Sequence, residues 1–365
     1  MTDVSLRHLL TRVPRLRRLA GKGWRRFKRL VEGGERSEVE RWSESLLRSA
    51  TPSEWRMLTQ LYDDTSPLPS TAQTHLSKRS PRLQRLRETY ARSGLPVMVR
   101  SLWNDEHVQD VDLRYFRGES PYLWNFREWP RSMVLKYFIW AEYVASRDPR
   151  DLLRRLGEDG AFGCWTFEYP GHPRVSRDLL DSVNEIMFLD RELGILGRAS
   201  LRVLDIGAGY GRSAHRMTQA APQIDDFCCV DVIPESTFIC DYYLRFRGCM
   251  PPARVMPLPE IPRGLERDHF DLAINIHSFS ECTTAAIAWW IELLEHLRIP
   301  HLLIVPNDED QLLAFEPDGT RPDFRPLVEA AGYELAQREP VIDDPAVREL
   351  VRVTDHFLLF HRTGA

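Results

Sequence analysis

The chain contains almost no lysine. Of its 49 basic residues only four are Lys, at positions 22, 28, 78 and 136, and the rest are Arg. Arg suits anion recognition, but a GC-rich genome explains such a bias without any ligand. Long apolar runs are missing too. No stretch reaches the length of about 18 apolar residues that a membrane-spanning helix needs, and the basic N-terminus is not followed by the apolar core and small-residue cleavage site of a signal peptide. The expectation is a mature chain that is the whole chain, located in the cytoplasm. The six cysteines (Cys164, Cys228, Cys229, Cys240, Cys249, Cys282) show no C-x-x-C spacing. Two of them sit inside what reads as a buried strand, which favours free structural thiols in a reducing compartment over a disulfide framework or zinc site. Internal repeats and low-complexity segments are absent as well.

Net charge is also small, −4 over 365 residues, but unevenly placed. Residues 1–31 hold ten Lys/Arg and one acid, a net of +9, while the other 334 residues hold 39 bases and 52 acids, a net of −13. An acidic body argues against a nucleic-acid protein, whose basic excess belongs on the fold itself. Within 9–31, Leu9, Val13, Leu16, Ala20, Trp24, Phe27 and Val31 recur every three or four positions among Arg and Lys. That period describes a basic amphipathic arm, which could lie on an anionic membrane surface, pack on the body, or remain a tail. The length exceeds the roughly 250–300 residues at which single cores split. The expected organisation is an arm at 1–35, a mainly helical region at 36–157 serving as acceptor lid or dimerisation surface, and an α/β domain at 158–365.

Helix signals punctuate the first half. Thr51-Pro52-Ser53-Glu54 is a capping box, Ser80-Pro81 opens a helix that Gly94 should close, and residues 63–81 form a turn-rich loop between them. An aromatic-dense stretch follows, from Trp103 through Tyr122, Trp124, Trp129, Tyr137 and Trp140 to Tyr143. Most of these rings should be core, but the Arg-, Gly- and Pro-rich part at 115–129 would suit a sugar ring or planar ligand. From Ser176, the cap of a helix ending at Gly194, the pattern changes. LRVLDIG, FCCVD, ARVMPL, FDLAINI and HLLIVP are short apolar runs separated by helical stretches, and YELAQREPVI and HFLLFHR read as two closing strands. Such alternation predicts a doubly wound, Rossmann-like α/β sheet, mostly parallel, with helices on both faces and an antiparallel C-terminal strand.

Leu201 to Arg212 (LRVLDIGAGYGR) carries the chemistry: an apolar strand, Asp205, then Gly207, Gly209 and Gly211 on alternate residues, then a helix. Glycines there permit a tight turn and close approach of backbone to ligand, with helix N–H groups beyond. The dinucleotide fingerprint G-x-G-x-x-G would place Arg212 at its third glycine, so a nicotinamide cofactor is disfavoured. The second strand ends at Asp231, 20 residues after Gly211, where an acid can accept hydrogen bonds from both ribose hydroxyls. D-x-G-x-G-x-G resembles motif I of class I S-adenosylmethionine (SAM) methyltransferases. Five blocks, 172–189, 203–217, 229–248, 271–282 and 304–308, preceded by a Glu158–Glu168 segment, resemble in wording and order a bacterial family of sugar O-methyltransferases, over roughly residues 115–360. The resemblance implies transfer of a methyl group from SAM, leaving S-adenosylhomocysteine (SAH), to a sugar hydroxyl of a glycoconjugate, polysaccharide or glycosylated natural product.

On that reading Asp205, Gly207, Ala208, Gly209, Tyr210, Gly211, Asp231, Val232, Ile233, Leu258 and Ile276 surround the cofactor. Asp205 answers its positive charge and Met256 to Leu258 border the adenine. An alcohol is a poor nucleophile at neutral pH and needs a base. His277, at the carboxyl edge after the fourth strand, is the preferred candidate because imidazole titrates near neutrality; a satisfied structural histidine is the plainer reading of the same residue. Glu281 could orient His277 or act itself, and His172 is a second histidine candidate. Tyr122, Trp124, Trp165 and Tyr169 could stack on the acceptor, with Ser278 and Asn307 beside it. The acids of Asn307-Asp308-Glu309-Asp310 could accommodate Mg²⁺, but a solvated turn is the simpler reading and no metal is predicted. Asp308-x-Asp310 also matches the D-x-D of nucleotide-sugar glycosyltransferases, a reading that leaves the glycine motif unused. The glycine motif would equally serve a methyltransferase with a non-sugar or lipid-linked acceptor, or a SAM-binding scaffold without catalysis. The expected partner is a sugar-containing small molecule or glycan, with no nucleic acid and an open question of homo-oligomerisation.

Overall fold

The computed structural model describes residues 68–103, 113–117, 133–169 and 171–363. The arm at 9–31, the capping box at 51–54 and the rings Tyr122, Trp124 and Trp129 lie outside the described residues.

Seven strands form one sheet in the order β3-β2-β1-β4-β5-β7-β6. They are β1 (Leu201–Ile206), β2 (Ile224–Asp231), β3 (Ala253–Pro257), β4 (Leu272–Ile276), β5 (His301–Val305), β6 (Tyr333–Pro340) and β7 (His356–Arg362). Strands β1 to β5 pair in parallel, and β7 alone runs against them, antiparallel to both β5 and β6. Residue alternation divides the core in two, as strands buried on both faces require. Leu201 and Val203 of β1, with Phe227, Cys229, Leu272 and Ile274, face one cluster, whereas Leu204, Ile206, Cys228, Val230 and Ala273 face the other. Asp205 and Asp231 continue the first set of alternating positions, so both acids project from the same face.

Six helices matter for the site: α1 (Pro81–Ala91), α2 (Met133–Arg147), α3 (Arg177–Leu193), α4 (Arg212–Ala220), α5 (Pro234–Phe246) and α6 (Thr284–Leu297). Ser176 caps α3 by accepting from the Leu179 amide, and Gly194 ends it in the left-handed region at φ 63°; both signals were legible. α1 stops at Ala91, three residues before Gly94, with Ser80 making no side-chain cap bond. Tyr137, Trp140 and Tyr143 on α2 are buried, as expected of core rings. The six cysteines are all free, five buried and Cys282 half-buried. Among the described residues no helix is long and apolar enough to cross a membrane.

The region before α3 is fastened by a buried charge cluster. Arg117 and Arg216 flank Glu158 and Asp178: both guanidinium groups lie 2.8 Å from Glu158 Oε2, and Arg216 Nε donates to Asp178 Oδ1 at 2.7 Å. Ser176 Oγ and Tyr210 Oη complete the set by donating to Glu158 and Asp178. Burial alone would raise both carboxyl groups, but the two arginines outweigh it and hold both below the usual range. One cluster thus joins the Glu158 segment, α3, α4 and the glycine turn.

Candidate active site

A cleft of about 760 Å³, counting the part open to solvent, lies at the carboxyl edge of β1, β2 and β4. Its walls include Trp103, Asp205, Gly207 to Gly209, Arg212, Asp231 to Ile233, Ile276 to Ser278, Glu281 and Cys282. Doubly wound sheets place their ligands here, beyond the strand ends where the chain direction of crossover reverses.

The glycine turn is held by its own amides. Gly207 and Ala208 donate to the Val230 carbonyl at 2.9 and 3.1 Å, and Gly209 N donates to Asp231 Oδ2 at 3.0 Å. The φ values of Gly207, Gly209 and Gly211 are all positive. At Gly207 a Cβ would sit 2.2 Å from Ser278 Oγ, and at Gly211 it would meet Cys240 Sγ at 2.8 Å. At Gly209 a Cβ would meet nothing within 4 Å and would occupy open space in the cleft wall. The three glycines therefore serve different ends: turn against β4, packing of α4 on α5, and room for a ligand.

Two acids meet the cleft. Asp205 is 3% exposed, and its Oδ2 has no hydrogen-bond partner among the described residues. Burial raises its carboxyl to about 8. Asp231 is also raised by burial, to about 7, opposed by amides that include Ile233 N to Oδ1 at 2.8 Å and Gly209 N. An orphaned buried carboxylate is costly to keep charged, and a cationic or hydrogen-bond-donating ligand would satisfy it. The donor set fits SAM: a buried acid with one oxygen unpartnered among the described residues for a positive charge, a second acid at the end of β2 for ribose hydroxyls, and a Cβ-free wall at Gly209.

The same cleft carries proton acceptors. His277 sits at φ 68°, a strained setting for a residue with a side chain, with its amide bonded to the Val305 carbonyl at 2.7 Å. Burial, then Arg177 and Arg212, push its pKa down to about 3. Glu281 accepts from Trp103 Nε1 at 2.5 Å and from Asn307 Nδ2 at 3.3 Å. Its carboxyl is raised by burial and only partly restored by those two donors.

Several expected residues are placed elsewhere. Tyr210 does not line the cofactor edge; its ring is buried beside Phe116 and Tyr243 and its hydroxyl donates to Asp178. Leu258 is fully buried, its amide donating to Tyr90 Oη at 3.0 Å. Gly211 packs helices rather than facing ligand. His172 is bonded to Glu142 away from the cleft, and Tyr169 lies in the core beside Phe138 and Phe167; Trp165 is likewise buried. Asp308 pairs with Arg321, and Asp310 with Arg338. No group of three or more metal-ligating side chains is assembled among the described residues. With both D-x-D aspartates already matched to arginines, neither Mg²⁺ nor a glycosyltransferase site draws support from this loop.

Two cleft-lining residues, Trp103 and Arg212, and one buried beneath the cleft, Asn275, escaped sequence reasoning. Trp103 arrives from the N-terminal segment, which docks through an Arg100–Cys282 bridge and Ser101 Oγ donating to the Glu281 carbonyl. Arg212 is the residue after the glycine turn and is held by Glu185. Asn275 is wholly buried: its Nδ2 donates to the Ile206 carbonyl and its Oδ1 accepts from Phe279 N, tying the end of β1 to the turn after β4. Only Arg212 had a signal available, its adjacency to the motif.

The sheet order and reversed β7, with a glycine turn after β1 and an acid ending β2, define the class I methyltransferase fold. No family model matches the chain, and no curated protein matches it either. Solved structures overlay about half of it. The [4+2]-cyclase SpnF covers 51% of this chain and 82% of its own at 16% identity and a TM-score of 0.38. A SAM-dependent methyltransferase from Mesorhizobium loti covers 49% and 98% at 15% identity, TM-score 0.36. Another from Aquifex aeolicus covers 47% and 87% at 16% identity, TM-score 0.34.

Proposed function

We propose that this protein is a SAM-dependent O-methyltransferase acting on a sugar hydroxyl of a glycoconjugate, polysaccharide or glycosylated natural product. The observation that carries the cofactor reading is the buried Asp205 carboxyl, whose Oδ2 has no hydrogen-bond partner among the described residues, beside the glycine turn and on the same sheet face as Asp231. Bound SAM would supply an electrophilic methyl on a sulfonium, and transfer to an alcohol is an in-line displacement in which positioning provides much of the rate. Gly207 to Gly209, Asp205 and Asp231 hold the donor end, and Arg212 walls it. His277 and Glu281 line the same cleft and are the groups that can take the acceptor proton. The sugar assignment draws on the ordered sequence blocks. It is supported by the chemistry of the acceptor end, where one indole, Trp103, stands among the polar side chains of Glu281 and Ser278 with Asn307 behind Glu281, as a polyhydroxylated ring requires.

Calorimetric titration with SAH tests the cofactor site. Wild type should bind, and Gly209→Ala should weaken binding at least tenfold, because the added methyl enters open space in the cleft; at φ 57° the alanine also strains the backbone by about 1 kcal/mol, so thermal melting of the variant accompanies the titration. Wild type that does not bind, or a variant that binds equally well, overturns the assignment. Methyl transfer to a panel of glycosides against non-sugar alcohols then decides the acceptor class.

A further inference from the structure

Next to the cleft, Asp355 approaches His277 from across the sheet. It is the residue before β7, the strand that enters the sheet at the edge where β4 and β5 leave. The reversal of β7 thus brings position 355 beside the turn after β4, with β5 between. The backbone is pinned on both sides: Val341 N donates to the Asp355 carbonyl at 2.8 Å and His356 N to the Glu309 carbonyl at 3.0 Å. Asp355 Oδ2 lies 3.6 Å from His277 Nε2, and both side chains are largely buried, at 16% and 9% exposure. Apo separations of this size close to hydrogen bonds when a site fills.

The surroundings leave this carboxylate available to the imidazole. Arg177 on α3 faces both groups, and it is shared with Asp181, 3.3 Å away. Arg212 on α4 faces His277 but is held by Glu185, while Asp181 and Asp308 face Asp355, the latter already paired with Arg321. Asn307 hydrogen-bonds the ring.

We propose that Asp355 and His277 form one proton-accepting pair, with Asp355 the positioning residue that orients the imidazole and balances the charge it gains from the acceptor hydroxyl. This rests on the methyltransferase reading above. In the step, the acceptor O–H bond breaks and its proton passes to the imidazole. The oxygen forms a bond to the methyl carbon, and the C–S bond breaks with its electron pair returning to sulfur as a neutral thioether. His277 alone would be a feeble base, because burial and two arginines oppose its cation; the Asp355 carboxylate, 3.6 Å from its Nε2, is the charge placed to support that cation. Two such groups titrate as a pair.

The test is a pH titration, from 5 to 9, of the full-length protein carrying ¹⁵N-labelled histidine, with the His277 signal assigned through His277→Gln. In wild type the His277 resonance should shift within this pH range as the pair gains its proton. In Asp355→Asn that shift should vanish and the ring remain neutral down to pH 5, and Asp355→Glu should restore it. A His277 signal that does not move in wild type, or moves identically in wild type and Asp355→Asn, overturns the proposal. The first outcome does so even if the Asn variant fails to fold. SAH calorimetry on wild type reports separately on the cofactor reading, so its failure leaves the histidine titration intact as a measurement of the pair.

Discussion

Asp205 shows how one residue combines a stability cost with a binding role. It replaces an apolar side chain at an alternating position of β1, and burial raises its carboxyl to about 8 from a usual 3.8. A raised acid means that the folded state binds more protons than the unfolded one between those two values, so its contribution to stability falls as pH rises through that window. Asp205→Asn should therefore raise the apo Tm at pH 8 by at least about 1–2 °C, the shift that about 1 kcal/mol produces in a chain of this length, with little change at pH 4. The same variant should lose SAH binding at least tenfold. Where wild type binds SAM, the cationic sulfonium favours the charged carboxylate, so SAM binding below pH 8 should release a proton. Calorimetry in buffers of differing ionisation enthalpy measures that release. Tyr210 teaches the opposite lesson. It sits inside the motif by sequence, yet its side chain leaves the ligand side and anchors Asp178, because alternate residues in a tight turn face opposite ways.

Among the elements, α3 and α4 are coupled by the Arg117–Glu158–Asp178–Arg216 cluster. Removing one member of a buried, mutually compensated set strands the others without water, at about 3–5 kcal/mol. Arg216→Ala should cost that much in urea unfolding, and SAH affinity should fall with it, since Tyr210 ties the glycine turn to Asp178. An exposed pair such as Arg174–Glu168 should contribute less than about 1 kcal/mol. The helix boundaries of α3 were legible because capping is local chemistry: Ser176 and Gly194 act within one turn of their own positions. The cluster was not legible, since Arg117, Glu158, Asp178 and Arg216 are far apart in the chain and nothing in their spacing marks them as neighbours.

At the scale of the molecule, the sheet is buried on both faces at its centre and exposed at β6, whose residues from Glu334 to Ala336 reach solvent. Local opening should follow that gradient. Amide exchange should be slowest in β1, β2 and β4 and faster in β6, and SAH should add protection at 205–213 and 231–236; uniform exchange across the sheet would contradict the layered packing. The chain before the α/β body also reaches the site. Tyr90 of α1 bonds Thr237 and the Leu258 amide, closing the β2–β3 side, while Trp103 closes the β4 side. Sequence blocks treat these segments as separate from the cofactor region, and the tertiary structure makes them part of its walls.

By itself the sequence determined the alternation of strands and helices, the reversed last strand, the caps of α3, the glycine turn, and the two acids that end β1 and β2. These are set by periodicity, left-handed backbone geometry and contacts within a few residues, all of which are written locally. Only the tertiary structure decided which side chains converge: that Trp103 and Asn307 bond Glu281, that Asn275 locks the turn, that His172 and Tyr169 lie elsewhere, and that Asp355 meets His277. The reason is physical. Those pairings are made by sheet order, by the direction of β7 and by docking of the segment at 100–103, which brings Trp103 within hydrogen-bond reach of Glu281, 178 positions away, and strand order is a property of how the whole apolar surface is buried rather than of any one segment.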